Sequence, residues 1–519
     1  MYLTQALHRS LQRHPGKLAL QHLGEAGQPA LDVASLVQQV ARLAAALQAC
    51  GVASGDRVAL LSPNNPHLVQ QLLACWWLGA VPCPLDPHWR RAELHHAMVD
   101  GGASLLVVDP RLALLSAQAG LASALKAGGS ELDSLSLASQ AAQRLPLADS
   151  RTGGDALAAL LYTGGSSGPP RAVMLTHANF WSAAMARMAA LNHPPEAVAL
   201  LVAPLCHVAG LGRMITQLIV GGSCLTLAQF QPEAVMAAIT ARGVSDILLL
   251  PGMLQGLLDH PDFDPGRLQG LRRINLGAAT LPPALLRRAL VAWPEAEFVQ
   301  AYGMTETTAT VSIKLPALLR PGPGGDAGKA SRQGSVGQAS LGAEMRIVDA
   351  QGSELPVGQV GEVWVRGPMV MQGYWQQPEA TALALQAGWL RTGYAGRVDE
   401  DGYLFIADRI RDMIITGGEN VYSTEVEAVL RLHPAVADVA VLGLPHAVWG
   451  QAVHAVVVLA PGALPQPDAL RRFCRKQLAG YKCPRSVSFA GSLPLTAAGK
   501  VQKAALRESL EKQMAETPS

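Results

Sequence analysis

Charge is scarce and balanced in this chain. Only 15% of its 519 residues are Asp, Glu, Lys or Arg, and 41 basic against 39 acidic residues leave a formal net charge of +2. Neither a basic footprint for nucleic acid nor an acidic surface follows from such a balance. The seven cysteines, at 50, 75, 83, 206, 224, 474 and 483, form no Cys-x-x-Cys pair. Their odd number and scattered spacing argue against a zinc site or a disulfide framework and fit a reducing cytosol. Long apolar runs are missing as well: the most apolar early run, 72–81, is about half of the ~20 residues a membrane helix needs. Met1-Tyr2-Leu3-Thr4-Gln5 has no charged start ahead of an apolar stretch, so no signal peptide is expected. The chain reads as soluble and cytoplasmic, without transmembrane segment or internal repeat.

What is present is enough apolar material, 49%, for a large core. At 519 residues the chain exceeds one core and implies a large lobe with a smaller domain. Leu36, Val40, Leu43 and Leu47 form one helical stripe closed by Gly51. A buried strand at 57–61, a helix at 66–78 and an extended run at 80–85 follow, an order that implies a parallel sheet covered by helices. Residues 111–155 read as a poorly specified connection with short helices. Short apolar runs at 157–162, 199–202, 247–250 and 273–276 then resume the pattern. The Gly/Pro-rich stretch 321–335 reads as a mobile loop, and 344–348 and 361–366 alternate as antiparallel strands do. Beyond 400–412 lies a compact module: a helix from Thr424 with Glu427 completing a capping box, strands at 439–442 and 453–459, and helices at 468–478 and 503–514.

Chemistry concentrates in a few motifs. Tyr162-Thr163-Gly164-Gly165-Ser166-Ser167-Gly168-Pro169-Pro170-Arg171 places glycines and hydroxyls between two apolar runs. Backbone N–H groups gathered in such a loop, with a cation nearby, cradle phosphate oxygens. It is not a Walker loop, because no Gly-Lys-Ser/Thr follows. Alone it would be an exposed flexible turn. Downstream come Tyr302-Gly303-Met304-Thr305-Glu306, Gly334-Ser335-Val336-Gly337, Gly417-Gly418-Glu419-Asn420 and Leu493-Pro494-Leu495-Thr496-Ala497-Ala498-Gly499-Lys500. These motifs, in this order over about 36–506, resemble the adenylate-forming superfamily of acyl- and aryl-CoA synthetases, adenylation domains and luciferases.

The resemblance implies an α/β fold: an N-terminal lobe, 1–410, with helix-covered sheets and a small antiparallel-sheet region, and a small mobile α+β C-terminal domain, 411–519, hinged near Arg411. It implies ATP, Mg²⁺ and coenzyme A. A carboxylate attacks the α-phosphate to give an acyl adenylate and pyrophosphate, and a thiol then displaces AMP. Thr163, Gly165, Ser166, Ser167, Gly168 and Arg171 would cradle phosphates. Glu306 would bind Mg²⁺, which prefers carboxylate and phosphate oxygens, and Thr305 the α-phosphate. Tyr302 and Gly303 would stack on adenine opposite Gly277, Ala278 and Ala279, and Arg409 would hold ribose or phosphate. Lys500 would reach the carboxylate and α-phosphate during adenylation. Gly417, Gly418, Glu419 and Asn420 would line the thiol tunnel, with Trp449 at the nucleotide end of CoA. The acyl pocket would use His207 as a gate, with Val208, Ala209, Gly210, Ala301, Thr308 and Ala309. Its small side chains suggest a medium- or long-chain fatty acid, with an aryl acid as second choice. No lysine or arginine in these segments points to a second carboxylate, which disfavours dicarboxylic acids, and no aspartate anchors an amino group.

Five positions depart from the family pattern: Gly164 and Ser167 stand for the usual Ser and Thr, Ala172 for Gly, and Arg171 and Tyr394 change the chemistry. Tyr394 ends Trp389-Leu390-Arg391-Thr392-Gly393-Tyr394, where relatives carry the aspartate that accepts both ribose hydroxyls. Such charge-assisted bonds contribute about 1.5–3 kcal/mol each, so their loss would weaken ATP binding roughly 10- to 1000-fold. Arg171 replaces the usual lysine; it keeps the charge in a different geometry. The leading expectation is an AMP-forming acid–CoA ligase acting on a small-molecule carboxylic acid. A standalone adenylating enzyme that loads a carrier protein, and a non-catalytic acyl- or nucleotide-binding descendant, stay open beside it, as does a homodimer.

Overall fold

Local chemistry places the early elements. Asn65 caps helix Pro66–Leu78 by accepting from the Leu68 N–H at 2.8 Å, with Pro66 at the first helical position. The strands on either side, Arg57–Leu61 and Val81–Leu85, pair in parallel, as the strand–helix–strand order predicts. The structure is a computed structural model that describes residues 1–23, 30–163, 170–277, 281–319, 332, 334–496 and 500–516. The chain divides into two compact units: 1–165, 169–344 and 365–390 form one, and 166–168, 345–364 and 391–519 the other.

Among the described residues, the first unit holds three sheets. In one, Val81–Leu85, Arg57–Leu61, Leu105–Val108 and Ser130–Asp133 run parallel. The largest sheet has a parallel centre, in the order Glu297–Tyr302, Arg273–Leu276, Asp246–Leu249, Val198–Leu201, Ser223–Thr226 and Leu18–His22. Its flanking strands, among them Ser312–Lys314, are antiparallel. The third sheet is antiparallel and places Arg171–Thr176 between Leu157–Thr163 and Gly373–Tyr374. Parallel strands buried on both faces need apolar side chains throughout, and Leu105–Val108 is buried at every position.

In the second unit, Trp389–Val398 and Leu404–Arg409 form an antiparallel hairpin that begins by pairing Tyr394 with Arg409. Downstream, Glu419–Val421, Ile414–Thr416, Gly450–Leu459 and Val436–His446 form a sheet in that order, and Ser486–Phe489 adds in parallel to Gly450–Leu459. Helices Ser423–Leu430, Pro467–Arg475 and Lys503–Glu516 complete this unit.

Some expectations change. The short helices expected in 111–155 are there, Ala113–Ala119 and Ser134–Ala142, but the stretch also holds an exposed edge strand, Ser130–Asp133. Glu427 makes no capping box. It is buried, accepts the Val441 N–H at 2.9 Å and pairs with Lys503 at 2.6 Å. Its helix is capped from another element instead: Asp408 Oδ2 accepts from Ser423 Oγ at 2.5 Å and the Thr424 N–H at 3.3 Å. Most of the loop 321–335 lies outside the described residues. Among the described residues no helix is long and apolar enough to cross a membrane.

Candidate active site

In the first unit, His207, Gly277, Ala301 and Tyr302 lie at or past the carboxyl ends of parallel strands, the edge at which open α/β sheets bind ligands. Strand Val198–Leu201 leads through a short loop to His207, the N-cap of helix Val208–Val220. Asn64, past the end of strand Arg57–Leu61, clamps that loop. Its amide donates to the carbonyls of Leu201 and Ala203 and accepts the Leu205 N–H. Asp86, past the end of strand Val81–Leu85, places a carboxylate oxygen 3.1 Å from His207 Nε2. Val208, Ala209 and Gly210 form the first turn of the helix that follows.

Burial pushes the Asp86 carboxyl up, but His207 and then His88 more than offset this and hold it below the usual carboxylate range. Cys206 lies close enough to make a possible metal triad with Asp86 and His207. Burial and Asp86 push its thiol well above the ordinary value. Asp86 and His207 thus form a close carboxylate–imidazole pair at the start of this helix.

The second cluster is a turn between strands Glu297–Tyr302 and Ser312–Lys314. Ala301 and Tyr302 end the first strand, and Gly277 follows the neighbouring strand Arg273–Leu276. At Gly303 a Cβ would collide with the backbone of Ala309 and Thr310, so the turn requires glycine. One 3₁₀ turn, Thr305–Thr307, carries Thr305 and Glu306. Thr308 and Ala309 follow with φ of 50° and 65°, two successive non-glycine residues in the left-handed region. Bonds from the Met304 N–H to Thr307 Oγ1 (2.9 Å) and from the Ala309 N–H to the Met304 carbonyl (3.0 Å) hold them there. The Thr308 hydroxyl donates to the Met369 carbonyl at 2.7 Å.

Glu306 is 6% exposed. Its Oε1 accepts a hydrogen bond from the Tyr374 hydroxyl at 2.9 Å. Burial and the Glu306 charge push the Tyr374 phenol up, keeping it a donor. The Arg171 guanidinium sits 5.6 Å above the Tyr374 ring. Arg171 also opens the strand opposite Thr163, in the register that closes the Gly/Ser hairpin. Thus Tyr374 links the base of that hairpin to the Glu306 turn. Gly165, Ser166, Ser167 and Gly168 lie outside the described residues, as do Ala278 and Ala279.

The second unit carries its own cluster. Tyr394 Oη accepts from Arg409 Nε at 3.1 Å. Burial pushes the Tyr394 phenol up, but the charges of Lys500, Arg409 and Arg411 overcome this and hold it below its ordinary value. Lys500 ends a small loop tied at its base: the Thr496 N–H donates to the Lys500 carbonyl at 2.8 Å, and the Lys500 N–H to Thr496 Oγ1 at 3.1 Å. Gly417 and Gly418, at φ of 60° and 86°, form the two-residue turn between Ile414–Thr416 and Glu419–Val421. A Cβ on Gly417 would meet the Trp449 ring at 2.7 Å, and Arg485 covers that ring at 4.6 Å. Glu419 and Asn420 are exposed on the outgoing strand.

Residues 7–375 match the model of the AMP-binding enzyme family, and residues 425–500 that of the AMP-binding enzyme C-terminal domain. The chain belongs to the AMP-binding enzyme family. It is therefore a member of the adenylate-forming superfamily, with that superfamily's large N-terminal and smaller C-terminal domain. Among relatives of this AMP-binding enzyme, a feruloyl-CoA synthase of Amycolatopsis sp is 38% identical over 96% of this chain and 97% of its own. The medium/long-chain-fatty-acid–CoA ligase FadD8 of Mycobacterium tuberculosis is 33% identical over 96% and 88%. The crystal structure of ATP-bound MatB from Rhodopseudomonas palustris superposes with a TM-score of 0.88 at 30% identity, over 99% of this chain and 100% of that one.

Four polar residues, three buried and one half-buried, were not singled out by the motifs. Asn64 and Asp86 position the His207 loop, and Tyr374 positions Glu306. Arg213 lies on the His207 helix, three residues past Gly210. The sequence signal for Asn64 and Asp86 was a polar residue just past the end of an apolar strand. Arg213 gave none, because it sits within an apolar helix.

Proposed function

We propose that this protein is an AMP-forming ligase that activates a carboxylic acid with ATP and transfers the acyl group to the thiol of coenzyme A. The observation that carries this reading is Glu306: a buried carboxylate on a strained turn, with one oxygen held by Tyr374. A hard carboxylate oxygen fixed in this way fits Mg²⁺. The metal, when bound there, would neutralise phosphate charge.

In the first half-reaction a carboxylate oxygen of the acid bonds to the α-phosphorus and pyrophosphate leaves. A carboxylate needs no base for this attack, so the protein supplies positioning and charge. Thr305 donates to the α-phosphate, Arg171 and the Gly/Ser loop bind the outer phosphates, and Lys500 offsets charge on carboxylate and α-phosphate. Tyr302 and Gly277 flank adenine, and Arg409, held by Tyr394, serves the ribose or phosphate. In the second half-reaction the CoA sulfur attacks the acyl carbon and AMP leaves with both electrons of the broken C–O bond. Gly417 to Asn420 and Trp449 line the path of the pantetheine arm, after rotation about Arg411.

The acid is aryl or a medium- to long-chain fatty acid; relatives named for ferulate and for fatty acids are both close in sequence. Labelled acid tests the chemistry. With ¹⁸O in the carboxylate, one label must appear in the AMP formed. Unlabelled AMP beside acyl-CoA would refute attack at the α-phosphorus.

A further inference from the structure

Beneath the His207 helix lies a buried cluster of three arginines. Arg213 sits on helix Val208–Val220, Arg187 near the end of helix His177–Ala190, and Arg273 at the start of strand Arg273–Leu276. The side chain of Arg213 is 3% exposed, and that of Asp246, opposite it, also 3%. Asp246 Oδ1 lies 2.5 Å from Arg213 Nη2 and accepts from Asn275 Nδ2 at 2.7 Å, while Oδ2 is 3.8 Å from Arg273. Arg273 turns to the half-exposed Glu297. Arg187 donates to a neutral acceptor, Asn275 Oδ1, at 2.8 Å.

Three guanidinium groups therefore face two carboxylates, only one of them buried. Among the described residues, Nε and Nη1 of Arg213 find no hydrogen-bond acceptor although both are inaccessible to water. Burial and the Arg213, Arg273 and Arg187 charges press the neighbouring His193 down to about 2, so it adds no charge of its own. Buried charge without a full set of partners is costly, and a purely structural network would satisfy these donors.

Arg213 follows Gly210 by three residues, which puts both on one face of the helix that His207 opens. It is six residues from His207, about 9 Å along the axis. Asn275 precedes Gly277 by two residues, about 7 Å along the strand. The first route leads from the proposed acyl pocket, and the second from the proposed adenine site, to the same arginines.

We propose that Arg213, backed by Arg187 and Asn275, binds a second oxyanion at the far end of the acid, a carboxylate or an ionised phenol. This rests on the acid-activating reading and narrows its substrate. It also reverses the expectation against a second acidic group, which came from segments ending three residues before Arg213.

Paired acids test it, with pyrophosphate release as the readout: a C8 α,ω-diacid against the C8 monoacid, and 4-hydroxycinnamic against cinnamic acid. The wild type should favour the distally acidic member of at least one pair at least 10-fold in kcat/KM, and which pair responds identifies the carboxylate or the phenol. Arg213→Leu should abolish that preference by raising KM for the acid while leaving KM for ATP unchanged, and Arg213→Lys should retain part of it. Wild-type preference for the apolar member of both pairs overturns the proposal, whether or not the variants fold. So does a folded Arg213→Leu enzyme that retains the wild-type ratio. Release with apolar acids alone would sink only this inference; no release with any acid would sink the ligase reading beneath it.

Discussion

Tyr394 and Arg409 face each other across one hairpin, the phenol oxygen accepting the guanidinium Nε–H at 3.1 Å. Tyr394, which stands where the resemblance led us to expect a ribose-binding aspartate, thus anchors the arginine beside it. Tyr394→Phe should leave Arg409 without this acceptor and raise KM for ATP about 10-fold. A fall in KM would mean that the phenol competes with the nucleotide for Arg409. Nearby cations also outweigh burial and lower the pKa of this phenol. Ultraviolet titration of the wild type should therefore show one tyrosine ionising below the ordinary range, and that step should vanish in Tyr394→Phe.

Lys500 is assigned to the first half-reaction alone. Lys500→Ala should slow acid-dependent pyrophosphate release by roughly 100-fold or more, as loss of ~3 kcal/mol of transition-state charge stabilisation does. Thioester formation from supplied acyl adenylate and CoA should stay within a few-fold of wild type. Equal damage to both steps would remove Lys500 from its role.

Tyr374 touches Glu306 and is proposed to orient it. Partners that orient a metal ligand typically contribute 10- to 100-fold in affinity. Tyr374→Phe should raise the Mg²⁺ concentration for half-maximal rate by about 10-fold and be rescued at high Mg²⁺. A lower kcat with unchanged Mg²⁺ dependence would count against Glu306 as the ligand.

Gly417 combines a positive φ with the Trp449 ring against its α-carbon. Gly417→Ala should displace Trp449 and slow CoA-dependent thioester formation, with pyrophosphate release in the first turnover unchanged. Stopped-flow measurement of both steps distinguishes this from general destabilisation, which would lower both.

Asp86 is held below its usual pKa in the folded protein. A carboxylate depressed on folding adds stability above its unfolded pKa and loses it as pH falls through the folded value. Urea unfolding should thus find Asp86→Asn less stable than wild type at neutral pH. The gap should close below about pH 4, where the unfolded carboxyl protonates. A gap that persists under acid would mean Asp86 acts through shape, not charge.

The strands of the first unit were readable because parallel strands buried on both faces need unbroken apolar runs, as in Arg57–Leu61 after its first residue and in Val198–Leu201. The edge strand Ser130–Asp133 was not, since an exposed edge carries no such run. Glu427 misled for a related reason. Its spacing from Thr424 suits a cap, but Val441 and Lys503, distant in sequence, claim it, and Asp408 caps the helix instead. At the site, Glu306, Arg409 and Lys500 stood out through their motif neighbours. Asp86, Tyr374 and Arg213 depend on partners 33 or more residues away in sequence, which local pattern does not encode.

Acid-dependent pyrophosphate release from ATP and Mg²⁺, with and without CoA, over a panel of aryl, fatty and distally acidic carboxylic acids, decides the function. An AMP-forming acid–CoA ligase gives a single burst with its acid alone and sustained turnover, with acyl-CoA as product, once CoA is added. Folded protein that releases no pyrophosphate with any acid would contradict the ligase reading and leave a binding protein disabled at Tyr394.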